Sequence, residues 1–510
     1  MDATKSSLKV NRPVGFAAKF NTSRHALGLC RCVIVTCRYT IPNSGMAHNS
    51  IKAVVENALA SVISRHPMLR VGIADEDTAD PVYVDLEAID LRQVIEWKEK
   101  TCHDNDEYTD YLLRSIEAQH GQLWEDLAHR PGWKIIIHQN LGAAPTDDVE
   151  MDVSFAFHHA IGDGQSALIF QRDFLRALNA GASTTDLADH MLHLSSSTVL
   201  PRPLEAVVPL TISWSYFLQV MVNLSWRKLA PSWLRSEPAP DTIPWTGEQV
   251  TLEPYTTNIR LLWIPDKPVK TLLAACRQHG TTLTPLFNAL ILASLSFRLP
   301  VASAPAFHAG TPISLRRFTD PDFDRENAMH CLVTEHKYPF NAPLVSEIRA
   351  ALIQDDPRQP DVAESLLWRT AAELGKSLSS KVATLPHDDQ IGLLAYISDF
   401  SKFWLEQIGT KRKDSWSVSN VGSLKAADSK GPQGAAGWQI KRSIFTQGAL
   451  PMGAAFDVNV AGVEGEGIWV SLSWQETVVL AEVMDHVVED LRTYVDGFGS
   501  DGKFKFTSWN

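Results

Sequence analysis

Residues Val149 to Phe157 alternate cleanly, with Val149, Met151, Val153, Phe155 and Phe157 on one face and Glu150, Asp152, Ser154 and Ala156 on the other. A period of two predicts a strand with one buried face. The period then changes. Leu168, Ile169, Leu175 and Leu178 follow helical spacing within Gln165 to Asn179, and Gly181 supplies a C-cap. The segment between strand and helix reads His158-His159-Ala160-Ile161-Gly162-Asp163-Gly164. Continuing the strand period places His159 on the apolar side and His158 opposite, so the two histidines are expected to do different jobs.

The same vocabulary recurs along the chain. Leu29 to Tyr39 reads as a strand, and Ser50 to Arg65 as a helix stopped by His66-Pro67. Short strands are expected at Pro81 to Asp85 and Trp133 to Gln139. Elements restart after residue 255. A strand is expected at Asn258 to Ile264, helices at Lys267 to His279 and Thr284 to Phe297, and a strand at His308 to Leu315. Helices fill much of 364–408, strands return at Trp416 to Ser419 and Ile468 to Trp474, and a helix spans Val479 to Tyr494. The Gly- and polar-rich tail Gly497 to Asn510 is expected to be poorly ordered. This is an α/β chain of two lobes, residues 1–205 and 256–510, joined by an apolar bridging segment, 206–255.

The bridge holds 21 residues without a charge, Ala206 to Trp226. That length can span a bilayer, but Pro209 and six polar residues interrupt it. The expected form is a buried or cleft-lining helix, with a peripheral membrane contact as the alternative. The polar N-terminus, Met1 to Val14, lacks the apolar core of a signal peptide, so a cytoplasmic location is expected.

Composition narrows the function classes. The 510 residues carry 47 basic and 59 acidic side chains, a net charge of −12 that argues against a nucleic-acid partner. An anionic co-substrate would need a local basic patch, for which Lys411, Arg412 and Lys413 are candidates beside their reading as a solvated loop. Six cysteines are too sparse for a disulfide framework and read as reduced core residues, Cys30 and Cys32 on one side of a sheet. His190 and His193 suggest a surface helix end rather than a metal site, and no metal is expected.

A neutral imidazole is the usual side chain for taking a proton from an alcohol or amine attacking a carbonyl. His159 is the candidate base, and its imidazolium would then protonate a departing thiolate. No serine or cysteine nucleophile is required. Asp163 has two open roles: bonding the base, or holding the loop through a buried ion pair, with Arg316 in Leu315-Arg316-Arg317 as partner. His158 is a structural support, and Gly164 admits either close approach of a substrate or a positive φ. Oxyanion or substrate-binding donors are sought at Ser419 and Asn420, in Trp416-Ser417-Val418-Ser419-Asn420-Val421-Gly422, where an ordinary Asn-containing turn is the plainer reading.

These residues resemble the chloramphenicol acetyltransferase-like superfamily, which includes peptide-synthetase condensation domains and plant BAHD acyltransferases. Within it the chain looks like the fungal alcohol acetyltransferase family. Arg24-His25-Ala26-Leu27-Gly28, Arg65-His66-Pro67-Met68-Leu69-Arg70 and His279-Gly280-Thr281-Thr282-Leu283-Thr284 carry the likeness. So do Ile313-Ser314-Leu315-Arg316-Arg317, Ser419-Asn420-Val421-Gly422 and Leu472-Ser473-Trp474-Gln475. The resemblance implies a two-lobed chloramphenicol acetyltransferase-like fold, with mixed sheets and flanking helices. A tunnel between the lobes would admit acetyl-CoA or another acyl-CoA from one face and a small alcohol, apolar or a secondary metabolite, from the other. His159 would stand where they meet, and Asp163 would turn away from it to pair with an arginine. The plant-type Asp-Phe-Gly-Trp-Gly motif is absent. A monomeric acyl-CoA-dependent O-acyltransferase is the expectation. The alternatives are a condensation-type enzyme taking a carrier-bound acyl group to an amine or alcohol, and a diverged non-catalytic binding protein.

Overall fold

The computed structural model describes residues 8–41, 48–142, 148–181, 187–194, 198–229, 243–352, 359–426 and 437–506. Two mixed sheets dominate it. The first, of five strands, runs in the order Gln439–Gln447, Val33–Ile41, Val149–Phe157, Trp133–Asn140, Ile95–Lys100. All neighbours are antiparallel except the last pair. The second, of six strands, runs Asn258–Ile264, Gly467–Trp474, Phe456–Val463, Trp416–Leu424, Phe307–Ser314, Val333–Phe340.

The helices His48–Arg65 and Gly164–Ala180 close one face of the first sheet. Val35, Tyr39, Val153, Phe155, Phe170 and Phe174 share that core, and Phe155 stacks on Phe170 with ring centroids 3.9 Å apart. The alternation in Val149–Phe157 predicts one buried face, yet both are covered. Ala156 packs with Leu112 and Ile116 of the helix Asn105–His120 on the reverse side. Asp152, 1% exposed, is tolerated there because Arg38, Arg442 and Tyr108 all donate to its carboxylate. In the second lobe the helix Leu283–Arg298 is apolar almost all round. It is buried against the sheet with the helices Gln359–Thr384 and Ala481–Asp501.

One strand crosses the division read from the sequence. Gln439–Gln447 belongs by position to residues 256–510 but pairs antiparallel with Val33–Ile41, so the second lobe completes the first lobe's sheet. That pairing joins the lobes through main-chain hydrogen bonds as well as side-chain packing.

Four expectations are corrected. The stretch Ala206–Trp226 is not one buried helix. A single turn, Leu204–Val207, packs into a small core with Leu315, Leu332 and Leu385. The chain breaks at Pro209, and the helix Trp214–Leu229 then lies on the surface with Trp214 80% exposed. The tail is not loose over its length: the helix Ala481–Asp501 continues past Tyr494 to a left-handed Gly502 (φ 70°), and Phe498 and Phe504 are buried. Residues 507–510 lie outside the described residues. His190 ends the helical turn Ala188–His190 and bonds Glu56, whereas His193 is the last residue of the short strand Met191–His193 rather than part of a helix. All six cysteines are buried and free, but Cys30 and Cys32 precede the strand rather than lying in it. No single described helix is long and apolar enough to cross a membrane.

Candidate active site

The strand Val149–Phe157 ends one residue before the histidines, and the chain turns there instead of continuing the period. His158 folds inward and is 1% exposed. Its Nδ1 accepts the Ala160 N–H at 2.9 Å, which leaves the proton on Nε2 for Glu76 at 2.7 Å. His25 approaches the same carboxylate. Its Nε2 accepts the Trp124 N–H at 3.0 Å, and its Nδ1–H meets Glu76 at 2.9 Å. The three side chains have the spacing of a metal site, but both nitrogens facing Glu76 carry protons, so no lone pair is offered to a cation. The cluster is a hydrogen-bonded brace. Burial first, then the neighbouring His25, lowers His158 to about 4 against the pull of Glu76, so its imidazole is neutral. Glu76, whose carboxyl burial alone would raise, is held well below its ordinary value by His158 and His25.

His159 faces the other way. It lines a cavity of about 410 Å³ between the lobes. Its Nδ1–H donates to the Gly162 carbonyl at 2.9 Å, which puts the lone pair on Nε2. No described residue bonds Nε2. Burial, and secondarily the Arg24 guanidinium, hold its pKa below the ordinary histidine value. Cys331 Sγ lies 3.7 Å from Nδ1, but burial pushes that thiol far up, so it is not a thiolate at neutral pH.

Asp163 makes no hydrogen bond to the His159 ring. It caps the helix Gly164–Ala180 through Ser166, whose N–H and hydroxyl both donate to Oδ1 at 2.8 Å. Arg316 donates to the same oxygen at 2.9 Å and the Leu332 N–H to Oδ2 at 3.1 Å. Burial alone would raise this carboxyl, but Arg316 and the backbone donors hold it below its ordinary value. Arg316 also binds the carbonyls of Ala328 and His330, so it stitches the turn to the segment before Val333–Phe340. Of the two roles read for Asp163, the structure places it in the ion pair.

Gly164 meets the protein itself at close range. Its φ is not positive, and its neighbour is protein. A β-carbon there would collide with Cγ1 of Val421. Val421 is the extra residue of a β-bulge between Asn420 and Gly422. Asn420 closes the bulge by accepting the Gly422 N–H at 2.9 Å, while Gln165 Nε2 donates to the Val421 carbonyl at 2.6 Å. The Ser419–Gly422 segment is therefore a lobe contact. Asn420 is exposed and neither it nor Ser419 lines the cavity; Ser417, two residues earlier on the same face, does. Arg24 and Asp457 also line it and were not singled out. Arg24 sits within the N-terminal motif, but nothing in one sequence marks its side chain as cavity-facing.

The alcohol acetyltransferase family model matches residues 14–489. The chain belongs to the alcohol acetyltransferase family. As an alcohol acetyltransferase family member it is an acyltransferase enzyme. It is 28% identical over 507 residues to a probable alcohol acetyltransferase, FCK4, of Fusarium pseudograminearum (strain CS3096), covering 98% of this chain and 97% of that one. It is 24% identical over 494 residues to a probable alcohol acetyltransferase, crmB, of Aspergillus fumigatus (strain ATCC MYA-4609 / CBS 101355 / FGSC A1100 / Af293), covering 93% and 97%. Among solved structures, the trichothecene 15-O-acetyltransferase TRI3 of Fusarium sporotrichioides superposes with a TM-score of 0.68 at 11% identity, covering 94% of this chain and 93% of that one. The first condensation domain of the calcium-dependent antibiotic synthetase gives 0.58 at 11%, covering 99% and 98%. The family member therefore has the two-lobed chloramphenicol acetyltransferase-like fold that its motifs implied.

Proposed function

We propose that the protein transfers an acyl group, acetyl from acetyl-CoA, directly to the hydroxyl of an apolar or secondary-metabolite alcohol, with His159 as general base. The observation carrying this reading is the commitment of Nδ1–H to the Gly162 carbonyl, which leaves Nε2 unprotonated beside the cavity. Nε2 takes the acceptor's proton as its oxygen attacks the acyl carbonyl, and the imidazolium returns that proton to the departing thiolate. A positioned base of this kind contributes on the order of 10²–10⁴ in rate. Cys331, held as a thiol, does not compete as a nucleophile, which supports transfer without an acyl-enzyme.

Coenzyme A supplies the activated thioester. The residues present fit its anionic groups. Arg412 is 5% exposed, lines the cavity and, among the described residues, donates only through Nη1, to the Glu248 carbonyl, leaving Nε and Nη2 buried with no partner among them. Lys411 and Lys413 flank it on the same wall. They answer the need for a local basic patch in a chain of net charge −12. Phe20, Ile391, Leu394, Phe403, Trp404 and Met452 give the cavity its apolar wall, which suits an apolar acceptor. Incubation with acetyl-CoA and a panel of alcohols, following free thiol, tests the reading. Acceptor-dependent thiol release is expected. Release only from a carrier-bound acyl group would replace it with the condensation-type reaction.

A further inference from the structure

One row of the six-stranded sheet runs in register through Lys337, Gly310, Ser417, Asp457 and Ser473, and Lys337, Ser417 and Asp457 of that row line the cavity. The opposite face of the same strands, with Trp416, Phe456, Val458 and Leu472, is packed under helices. Polar side chains on the cleft side of a sheet so well buried on its other side have been placed against something polar. Asp457 is 3% exposed and lines the cavity that holds His159. Its carboxyl makes no hydrogen bond or ion pair to a described residue, whereas a buried carboxyl normally has several. Its neighbours do have partners. Lys337 pairs with Asp414 and with Glu335. Gly310 leaves the space through which Glu335 reaches over the sheet, since a β-carbon there would collide with Glu335 Oε1 and lie 3.5 Å from the Ser417 β-carbon. Burial, then the carboxylates of Glu335 and Asp414, push Asp457 up to about 7 against the pull of Arg24. The neighbouring lysine is thus already engaged, and no described residue donates a hydrogen bond to Asp457.

We propose that Asp457 is a specificity-determining residue that receives a second hydrogen-bond donor, a hydroxyl or an amine N–H, on the acceptor alcohol, remote from the hydroxyl that is acylated. The proposal rests on the acyltransferase reading above and sharpens its acceptor class from simple alcohols to diols and amino alcohols. Donor and carboxyl satisfy each other in a desolvated site, where an acceptor lacking the group leaves the carboxyl bare.

The test compares 1-alkanols of four to ten carbons with the α,ω-diols and α,ω-amino alcohols of the same lengths, using acetyl-CoA and following free thiol. At its best length a bifunctional acceptor should exceed the matched alkanol at least about tenfold in kcat/KM, mainly through KM. Asp457→Leu should bring the two within about twofold. Asp457→Asn, which keeps the shape, should retain part of the preference and thus separate lost recognition from a damaged fold. A diol arm without an amino-alcohol arm would assign the hydroxyl, and the converse the amine. No bifunctional preference at any length, or a preference surviving Asp457→Leu, overturns the proposal. The same pairs titrated calorimetrically into His159→Ala read binding without turnover. Equal affinity for diol, amino alcohol and alkanol there overturns the Asp457 assignment even if no panel member is acetylated, whereas absence of turnover alone counts against the acyltransferase reading.

Discussion

His159 Nδ1 lies 2.9 Å from the carbonyl oxygen of Gly162, three residues ahead in its own turn. The bond spends the proton of the neutral ring on the backbone, so the nitrogen facing the cavity is the basic one. Burial, aided by Arg24, also holds its pKa below the ordinary value near 6.5. For the proposed general base the working form is the deprotonated one, and it persists below neutrality. The acid limb of kcat/KM should have its midpoint below pH 6.5. A rate profile with that midpoint above 6.5 would contradict this.

The Asp163–Arg316 pair holds the turn from outside. Both partners are buried and share one tight bond of 2.9 Å. Removing one side leaves a buried charge alone, which typically costs about 3–5 kcal/mol. Arg316→Met and Asp163→Asn should each lower stability in denaturant melts by about that amount and lower kcat as the turn loosens. The double variant Asp163→Asn/Arg316→Met should recover part of the stability, because no charge is left unpaired. A double-mutant cycle with no coupling would show that the pair does not act as a unit.

Gly164 and Val421 meet where the lobes touch. Gly164→Ala forces a methyl group into the Val421 side chain and should cost about 1–3 kcal/mol as overpacking, with a loss of activity from the displaced turn. Val421→Ala in the same chain should restore much of both. If Gly164→Ala is harmless in thermal melts and assays, the glycine has another purpose.

The turn, the ion pair and the lobe contact were legible to different degrees. The junction at residues 158–164 is plain because two periodicities meet there, and Asp163 and Arg316 are matched in charge at element ends. Gly164 announces close approach but not its partner, 257 positions away in a bulge. Glu76 was missed because it lies in a loop without period, and its meaning comes only from two histidines distant in sequence. Strands Val333–Phe340, Gln439–Gln447 and Phe456–Val463 were not read either. The first is an edge strand carrying charges and Pro339, the second interrupts its apolar positions with Lys441 and Arg442, and the third alternates only over Phe456 to Val460 before the small residues Ala461 and Gly462. The bridge misled because an uncharged stretch looks buried, whereas Pro209 divides it and leaves Trp214 and Leu218 facing outward.

Buried histidines set the response to acid. His138, His158 and His330 are lowered to about 4, and His120 to about 3, chiefly by burial. The unfolded chain protonates them near pH 6.5 and the folded chain does not. Stability is therefore full above about pH 6.5 and falls as pH drops from there toward 4, at about 1.4 kcal/mol per pH unit for each histidine. Urea melts from pH 7.5 to 4.5 should show this decline beginning near 6.5. A flat stability over that range would mean that these rings are hydrated or already protonated in the folded state.

In the proposed reaction His159 takes the acceptor's proton. Its most direct measurement is acceptor-dependent thiol release from acetyl-CoA by the native protein and by His159→Ala, with circular dichroism showing both folded. A fall in kcat on the order of 10²–10⁴ with little change in KM is expected. Undiminished turnover by His159→Ala would contradict it.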